Sequence, residues 1–259
     1  MCSNCRAFIT TEDKVCPYCD FKVGARAVDA RTPSDALGGL IPQAHFTTVV
    51  ILLINAGLYI AGTLTGNNVL DQLGAKYGPL IREGEWWRLI TAGFLHGGLL
   101  HIAMNSWVLF DLGAQTEENY GTSRFLVFYI LSTITGFYAS MLWAPLTPSV
   151  GSSAGIFGLI GAMIALGVRD QSVYGSAVKR VYTQWAIFAL VMSFFPGIDM
   201  AAHLGGLAGG FALGYLAGAP KLGRPAIESF WKVAAVAVVA LTVAAFAMMS
   251  RGLLAGAQQ

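Results

Sequence analysis

The chain has 259 residues, of which 55% are hydrophobic and only 12% are charged. A water-soluble domain usually carries about twice that share of charged residues, and a mean hydropathy of +0.60 indicates a protein that is surrounded mainly by lipid. The formal net charge of +2 is too small to indicate a polyanionic partner, so we expect no binding of nucleic acid.

The four cysteines form two Cys-x-x-Cys pairs near the N-terminus. Cys2 pairs with Cys5 and Cys16 with Cys19, and ten residues separate the pairs. This spacing lets two tight turns present four thiolates to one tetrahedral ion, so we predict a structural zinc knuckle over residues 1–25. Iron would accept the same four ligands. A cytoplasmic protein is the partner that we expect for such a knuckle.

Two other interpretations of the cysteines are open. They could form a pair of disulfides, which the reducing cytoplasm predicted for this segment disfavours. They could also be redox-active, since Cys-Pro-Tyr-Cys occurs in glutaredoxins, but no strand and helix pattern of that fold surrounds the motif.

Segments without charged residues predict the membrane spans, because a charged side chain costs about 2.5 to 3.5 kcal/mol at the centre of a bilayer. After a linker over residues 26–43, they predict six spans within residues 44–218. A cytoplasmic loop and a seventh span follow within residues 219–259. We therefore predict an all-α polytopic membrane protein with a six-helix core. The charge-free segments are Ala36–Leu70, Leu89–Phe110, Phe125–Val168 (two spans), Val181–Ile198, Met200–Pro220 and Val233–Ser250.

The basic residues predict the orientation of these spans. Lysines and arginines precede span 1 and lie between spans 4 and 5 and between spans 6 and 7, whereas the loops between spans 3 and 4 and between spans 5 and 6 have none. The positive-inside rule therefore predicts a cytoplasmic N-terminus and an external C-terminus. The loop after span 1 carries both signs of charge with many aromatics and glycines, so we expect it to fold at the membrane interface.

A Gly-x-Ser-x-Gly pattern begins span 4. Its residues are Gly151, Ser152, Ser153, Ala154 and Gly155. In soluble hydrolases this pattern places a nucleophilic serine on a sharp turn. The alternative is close helix packing, which in lipid also requires glycine, serine and alanine.

Span 6 contains His203, and an intramembrane histidine is a candidate functional residue by default. Gly206 and Gly210 follow on roughly the same helical face. They would allow the backbone of another helix to pack closely beside the histidine. A hydrogen bond to a neighbouring helix is the alternative role for His203.

His101 and Asn105 lie four residues apart on one face of span 2. Both side chains donate hydrogen bonds without carrying a charge, as required of groups that stabilise an oxyanion. Interhelical hydrogen bonds are the alternative. His96 lies off this face, and we expect it to bond the folded first loop.

The predicted topology brings these groups to one depth. Spans 2, 4 and 6 all run inward from the outer surface. Ser153 begins span 4, and His203 follows Asp199 of the outer loop by four positions, or about 6 Å of helix rise. Serine, histidine and asparagine from three separate spans at one level favour an enzyme over a scaffold.

These motifs together resemble the rhomboid family of intramembrane serine proteases over about residues 44–217. The resemblance implies Ser153 as nucleophile, His203 as general base, and an oxyanion hole from the Ser153 backbone N–H with the His101 and Asn105 side chains. Phe157 departs from the family pattern, because many members have a tyrosine there that packs on the histidine. The matching positions are Trp87, Arg88, His96, His101, Asn105, Glu117, Gly121, Gly151, Ser153, Gly155, His203, Gly206 and Gly210.

The resemblance also implies what the chain does. It would cleave transmembrane segments of membrane-protein substrates through an acyl-enzyme, without a catalytic cofactor, in the inner membrane of a bacterium. The site would open to the outer face. The alternative is a catalytically silent rhomboid-like scaffold or transporter.

Overall fold

The computed structural model describes residues 15–20, 46–66, 68–218 and 225–256. The chain divides into two compact units, residues 1–43 and residues 44–259. In the first unit, the backbone N–H of Asp20 donates to the carbonyl oxygen of Cys16 over 3.0 Å. This bond closes a tight turn that contains Cys16 and Cys19. Cys2 and Cys5 lie outside the described residues.

Ten helices make up the described part of the second unit. Four of them are long and apolar enough to cross a bilayer, namely α1, α6, α9 and most of α10. Helices α5, α7 and α8 overlap the segments predicted as the other three spans, but they fall short in length or apolarity. The helices are α1 (Phe46–Thr65), α2 (Asn68–Gly74), α3 (Gly78–Arg82), α4 (Arg88–Thr91), α5 (Leu99–Tyr120), α6 (Thr122–Trp143), α7 (Ser153–Arg169), α8 (Val173–Met192), α9 (Met200–Ala217) and α10 (Pro225–Gly256).

The outward faces of these helices carry large apolar side chains. Trp143 is 83% exposed and Phe194 is 80% exposed, which a water-soluble protein of this size rarely tolerates over a whole surface. Charged groups such as Arg88 and Arg124 are buried instead. With four helices able to span a bilayer, this distribution identifies an integral membrane protein.

Helices α7 and α9 pack along a ladder of small residues. A Cβ added to each α9 glycine of the ladder would come within 1.9 to 2.7 Å of a backbone atom of its α7 partner, so only glycine fits. Both partners advance by four residues from one rung to the next, so the two helices run parallel. The rungs are Ala154 with Gly206, Gly158 with Gly210, and Ala162 with Gly214.

Helix α6 packs at the junction of α7 and α9. A Cβ on Gly136 would lie 2.6 Å from the Ala202 carbonyl oxygen and 2.8 Å from the Ala154 side chain. The buried aromatics Phe128 and Tyr129 of α6 belong to the core of the bundle. Helices α6, α7 and α9 therefore form its centre.

Helix α10 is held to α6 by a charge pair. The two terminal nitrogens of Arg124 donate to the two carboxylate oxygens of Glu228, each over 2.8 Å. The guanidinium also lies 5.3 Å from the ring centroid of Trp231. A bidentate pair with an aromatic contact fixes both angle and register, so α10 has a defined place on the core.

The segment between α1 and α5 is folded, as its composition predicts, and it contains the three short helices α2, α3 and α4. Arg88 is buried and donates to the Glu85 carboxylate over 2.5 Å and to the carbonyl oxygens of Ala75 and Gln72 over 2.9 and 2.6 Å. Trp87 donates its indole N–H to a carbonyl oxygen of α2 over 3.2 Å. Both residues therefore tie α4 to α2.

Candidate active site

Ser153 and His203 are in hydrogen-bond contact. Ser153 is the first residue of α7 and His203 lies in the first turn of α9. Because these helices run parallel, their N-terminal ends meet, and Ser153 Oγ lies 2.8 Å from His203 Nε2. Ser153 is partly exposed, whereas His203 is 7% exposed. An imidazole in this position can accept the serine proton during nucleophilic attack.

The phenyl ring of Phe157 stacks on the imidazole of His203. The ring centroids are 4.2 Å apart and the planes differ by 17°. Phe157 lies one turn after Ser153 on α7, so the stacked ring covers one face of the histidine. A phenyl ring therefore orients the imidazole at the position where many rhomboids have tyrosine.

Asn105 and His101 of α5 lie against the backbone of Gly151, two residues before Ser153. A Cβ on Gly151 would lie 2.7 Å from the His101 ring and 3.6 Å from Asn105 Nδ2, and the φ of Gly151 is +133°, a value that favours glycine. Asn105 Nδ2 is buried and has no hydrogen-bond partner among the described residues. A buried donor without a partner is costly in a folded protein, and this one lies beside the turn that precedes α7.

The N-terminal end of α7 adds backbone donors at the same place. The N–H groups of the first turn of a helix have no partner within the helix, and the helix dipole makes this end positive. The Ser153 N–H is one of these groups. Gly155, in the same turn, allows Tyr129 and Thr133 of α6 to approach, since a Cβ there would lie 2.7 and 2.8 Å from them.

The irregular segment before Gly151 is clamped by Lys76. The backbone of Lys76 exchanges two hydrogen bonds with Ser149, of 2.9 and 3.1 Å, and its ammonium donates to the carbonyl oxygens of Ala144 and Thr147 over 3.0 and 2.7 Å. Burial holds the pKa of Lys76 below its ordinary value, and the charge of the Asp199 carboxylate offsets only part of this decrease. The folded first loop thus fixes the approach to Ser153.

His96 contacts the residue that precedes Ser153. Its Nε2 lies 3.3 Å from Ser152 Oγ, and its ring packs edge to face against His101, with centroids 5.3 Å apart. The sequence predicted a bond from His96 to the folded first loop and did not indicate this contact with Ser152. Because Ser152 is buried and adjacent to Ser153, His96 supports the turn that begins α7.

Four of the positions that carry the resemblance lie away from this site, namely Trp87, Arg88, Glu117 and Gly121. Trp87 and Arg88 belong to the first loop described above. Glu117 is near the C-terminal end of α5, where its carboxylate accepts hydrogen bonds from the hydroxyls of Thr122 over 2.6 Å and Thr48 over 3.4 Å. It joins α1, α5 and the start of α6 and has no contact with Ser153.

Two residues next to the site were not singled out from the sequence. Ser193 Oγ lies 2.6 Å from His203 Nδ1. Asp199 caps α9, where its carboxylate accepts from the Ala202 N–H over 3.0 Å and from the Ser140 hydroxyl over 2.5 Å. An aspartate directly before a helix is a recognisable cap, but a single serine in an apolar span does not indicate which helix it faces.

The chain is similar in sequence to known proteins. Residues 83–220, more than half of the chain, match the family model described as the Rhomboid domain. The chain is 36% identical over 192 residues to the rhomboid protease GluP of Bacillus subtilis (strain 168), which covers 72% of this chain and 36% of GluP. It is 35% identical over 171 residues to YdcA of the same organism, covering 64% of this chain and 85% of YdcA.

A further relative, the inactive RHOMBOID-like protein 8 of Arabidopsis thaliana, is 34% identical over 135 residues, covering 51% of this chain and 38% of that protein. The chain thus spans about half or less of the length of several curated relatives, but most of YdcA. The domain match and the extent of the similarity to YdcA establish that the chain belongs to the rhomboid family.

Proposed function

We propose that the chain is an intramembrane serine endopeptidase that cleaves transmembrane segments of membrane-protein substrates. The observation that carries this proposal is the 2.8 Å contact between Ser153 Oγ and His203 Nε2, made between two helices of a membrane bundle. The similarity to GluP, which is named a rhomboid protease, supports the same activity.

The chemistry follows from the proposed roles of these groups. Ser153 attacks the carbonyl carbon of the peptide bond, and His203 Nε2 takes the hydroxyl proton. The oxyanion accepts hydrogen bonds from the Ser153 N–H, His101 and Asn105. The intermediate then expels the amine, which takes the proton from His203, and an acyl-enzyme remains. Water, deprotonated by His203, releases the acid product and restores Ser153.

The substrate has to bring a peptide bond to the N-terminal end of α7. Irregular backbone at membrane depth is tolerated only where protein or a water-filled cavity shelters it. The turn before Ser153, which contains Pro145, Pro148 and Gly151, is such a segment, and a water-filled cavity there would supply water for hydrolysis. The substrate helix would unwind near its outer end. Either the first loop or α8, whose Trp185 and Phe188 are exposed, would move to admit it.

The membrane arrangement is part of the proposal. The core comprises six spans, α10 is the seventh, the N-terminus is cytoplasmic and the site opens to the outer face of a bacterial inner membrane. The distribution of lysine and arginine supports this orientation. The three helices that fall short of the span criteria, α5, α7 and α8, each overlap a predicted span.

A silent scaffold is the second candidate, because the similarity extends to a relative that is named inactive. In that case Ser153 and His203 would serve only as hydrogen-bond partners between helices. The buried Asn105 donor, which has no partner among the described residues, fits the enzyme, because the oxyanion of the reaction would supply an acceptor for it.

Labelling with a fluorophosphonate probe separates these two candidates. We expect the protein in detergent to form a covalent adduct at Ser153, because a serine hydroxyl reacts with phosphonates only when a base activates it. Peptide mass spectrometry should locate the adduct on Ser153 and not on the neighbouring Ser152. His203→Ala should abolish labelling. An equal yield of adduct in His203→Ala, or an adduct on Ser152, would contradict the assignment.

We also propose that the four cysteines hold one structural zinc ion. The described turn fits half of such a site, since Cys16 is buried and Cys19 is half-buried in one tight turn. The described residues contain only these two of the four cysteines, and they offer no cluster of three or more metal-binding side chains. With four thiolate ligands the ion has no open position, so its role is structural.

Removal of the metal should unfold the knuckle alone. We expect about one zinc per chain by elemental mass spectrometry, and loss of that zinc in a Cys16→Ser, Cys19→Ser variant. A chelator should make residues 1–25 sensitive to protease while fluorophosphonate labelling at Ser153 persists, because the knuckle and the membrane bundle are separate units. Stoichiometric iron, or wild-type protein without metal, would contradict the zinc assignment.

A further inference from the structure

Ser193 is the second hydrogen-bond partner of the His203 imidazole. It follows the last residue of α8, is 3% exposed, and places its Oγ 2.6 Å from His203 Nδ1. The imidazole is thus held by a serine at each nitrogen, Ser153 at Nε2 and Ser193 at Nδ1. This inference rests on the proposed protease function. It assigns a role in that function to Ser193, in addition to the roles of Ser153 and His203.

The two contacts of the Ser193 hydroxyl, with Ala189 and with His203, are both hydrogen bonds in only one arrangement of the protons. Ser193 Oγ also lies 2.7 Å from the carbonyl oxygen of Ala189. A carbonyl oxygen can only accept, and a hydroxyl has one proton, so the Ser193 proton goes to Ala189. The Ser193 oxygen therefore accepts from His203, and Nδ1 of His203 carries the proton.

The tautomer determines what happens at the other nitrogen. A neutral imidazole with its proton on Nδ1 has a lone pair on Nε2. The Ser153 hydroxyl must then donate to Nε2, which is the arrangement a general base requires. With the proton on Nε2 instead, the ring would donate to Ser153 and could not accept its proton.

We propose that Ser193 is a positioning residue that fixes the base-competent tautomer of His203, so that Ser153, His203 and Ser193 work as a triad with a neutral third member. In serine proteases with a carboxylate as third member, reversing the tautomer lowers kcat by about 10⁴-fold. Ser193→Ala removes the acceptor without imposing the wrong tautomer. We therefore expect a smaller decrease in kcat, of about 10- to 100-fold.

Nuclear magnetic resonance of histidine nitrogens reads the tautomer directly. In protein labelled with ¹⁵N-histidine, His203 of the wild type should show a protonated Nδ1 and an unprotonated Nε2, its signals being assigned by their loss in His203→Asn. In Ser193→Ala the Nε2-protonated form should become populated. A change that only loosened the end of α8 would not move this equilibrium.

Kinetics on a membrane-anchored reporter provide the second measurement. Ser193→Ala should lower kcat with little change in KM, because Ser193 contacts the base and not the substrate. Ser193→Thr, which keeps the hydroxyl, should recover most of the rate. Thr116→Val is the matched control, since the buried Thr116 hydroxyl also donates to a carbonyl oxygen four residues earlier, over 2.8 Å, but is far from the site.

The outcomes separate this inference from the proposed function. If Ser153→Ala is inactive while Ser193→Ala matches wild type in rate and tautomer, the triad is wrong and the protease stands. If wild type does not cleave, or Ser153→Ala does, the proposed function is wrong, and the tautomer measurement still decides what Ser193 does to His203. An Nε2-protonated ring in wild type overturns the inference.

Discussion

Replacing Ser153 with alanine is expected to abolish cleavage of a reporter with a transmembrane segment. The proposed mechanism passes through a covalent ester on Ser153 Oγ, and no other hydroxyl among the described residues contacts His203 Nε2. Loss of a catalytic serine in a serine protease typically lowers the rate by about 10⁶-fold, which is below detection in a membrane assay. The measurement is the fraction of reporter cleaved after reconstitution in liposomes.

Two further variants serve as controls for the Ser153→Ala result. His203→Ala should be equally inactive, since nucleophile and base act as one unit and their losses do not add. Thr116→Val should cleave at the wild-type rate, which excludes a general effect of removing a hydroxyl from the bundle. Residual cleavage by Ser153→Ala that survives repurification would show that the nucleophile lies elsewhere.

Substitution of Gly210 by alanine is expected to damage both stability and activity. The added Cβ would lie 1.9 Å from the Gly158 carbonyl oxygen, and backbone cannot yield as a flexible side chain does. Overpacking of this kind typically costs about 1–3 kcal/mol, occasionally more. Because α7 and α9 carry Ser153 and His203, separating these helices should lengthen the hydrogen bond between them. We expect a lower melting temperature in detergent and at least a tenfold loss of cleavage rate.

Gly57→Ala is the control for the glycine experiment. Gly57 lies in α1, and a Cβ there would have no neighbour within 4 Å. Alanine favours a helix over glycine by about 1 kcal/mol, so this variant should be as stable as wild type or slightly more stable. If Gly210→Ala behaved like Gly57→Ala, close contact along the ladder would not be what positions the two catalytic helices.

Much of this arrangement could be predicted from the sequence because lipid imposes a simple rule. A charge is costly in a bilayer, so the charge-free segments overlap the long helices of the described residues, four of which are long and apolar enough to cross a membrane. The same rule made His203 conspicuous. Counting residues from the ends of these segments then suggested that Ser153 and His203 lie at similar depth.

Contacts between segments distant in sequence could not be predicted in this way. In the sequence, nothing distinguishes Ser193 from other serines, because only the packing of α8 brings it beside His203. In the same way, only the folded structure shows that the ammonium of Lys76 contacts the turn before Gly151. The spacing between His96 and His101 excluded His96 from the helical face of His101, so the sequence predicted a bond to the first loop. It gave no indication of the contact between His96 and Ser152. These partners depend on how separate segments pack, which periodicity and charge do not report.

The ladder between α7 and α9 does not by itself define the register of the two helices, so contacts of other side chains have to define it. Its rungs repeat every four residues, so sliding α9 by one rung would again place small residues opposite one another while moving His203 by about 6 Å past Ser153. Such a displaced bundle would pack well and be inert. The contact between α6 and the start of α9 defines the register, because the Ser140 hydroxyl donates to the Asp199 carboxylate over 2.5 Å, and a slide by one rung would move that carboxylate about 6 Å away from Ser140. Alignment of Ser153 with His203 therefore depends partly on α6, a helix that carries neither residue.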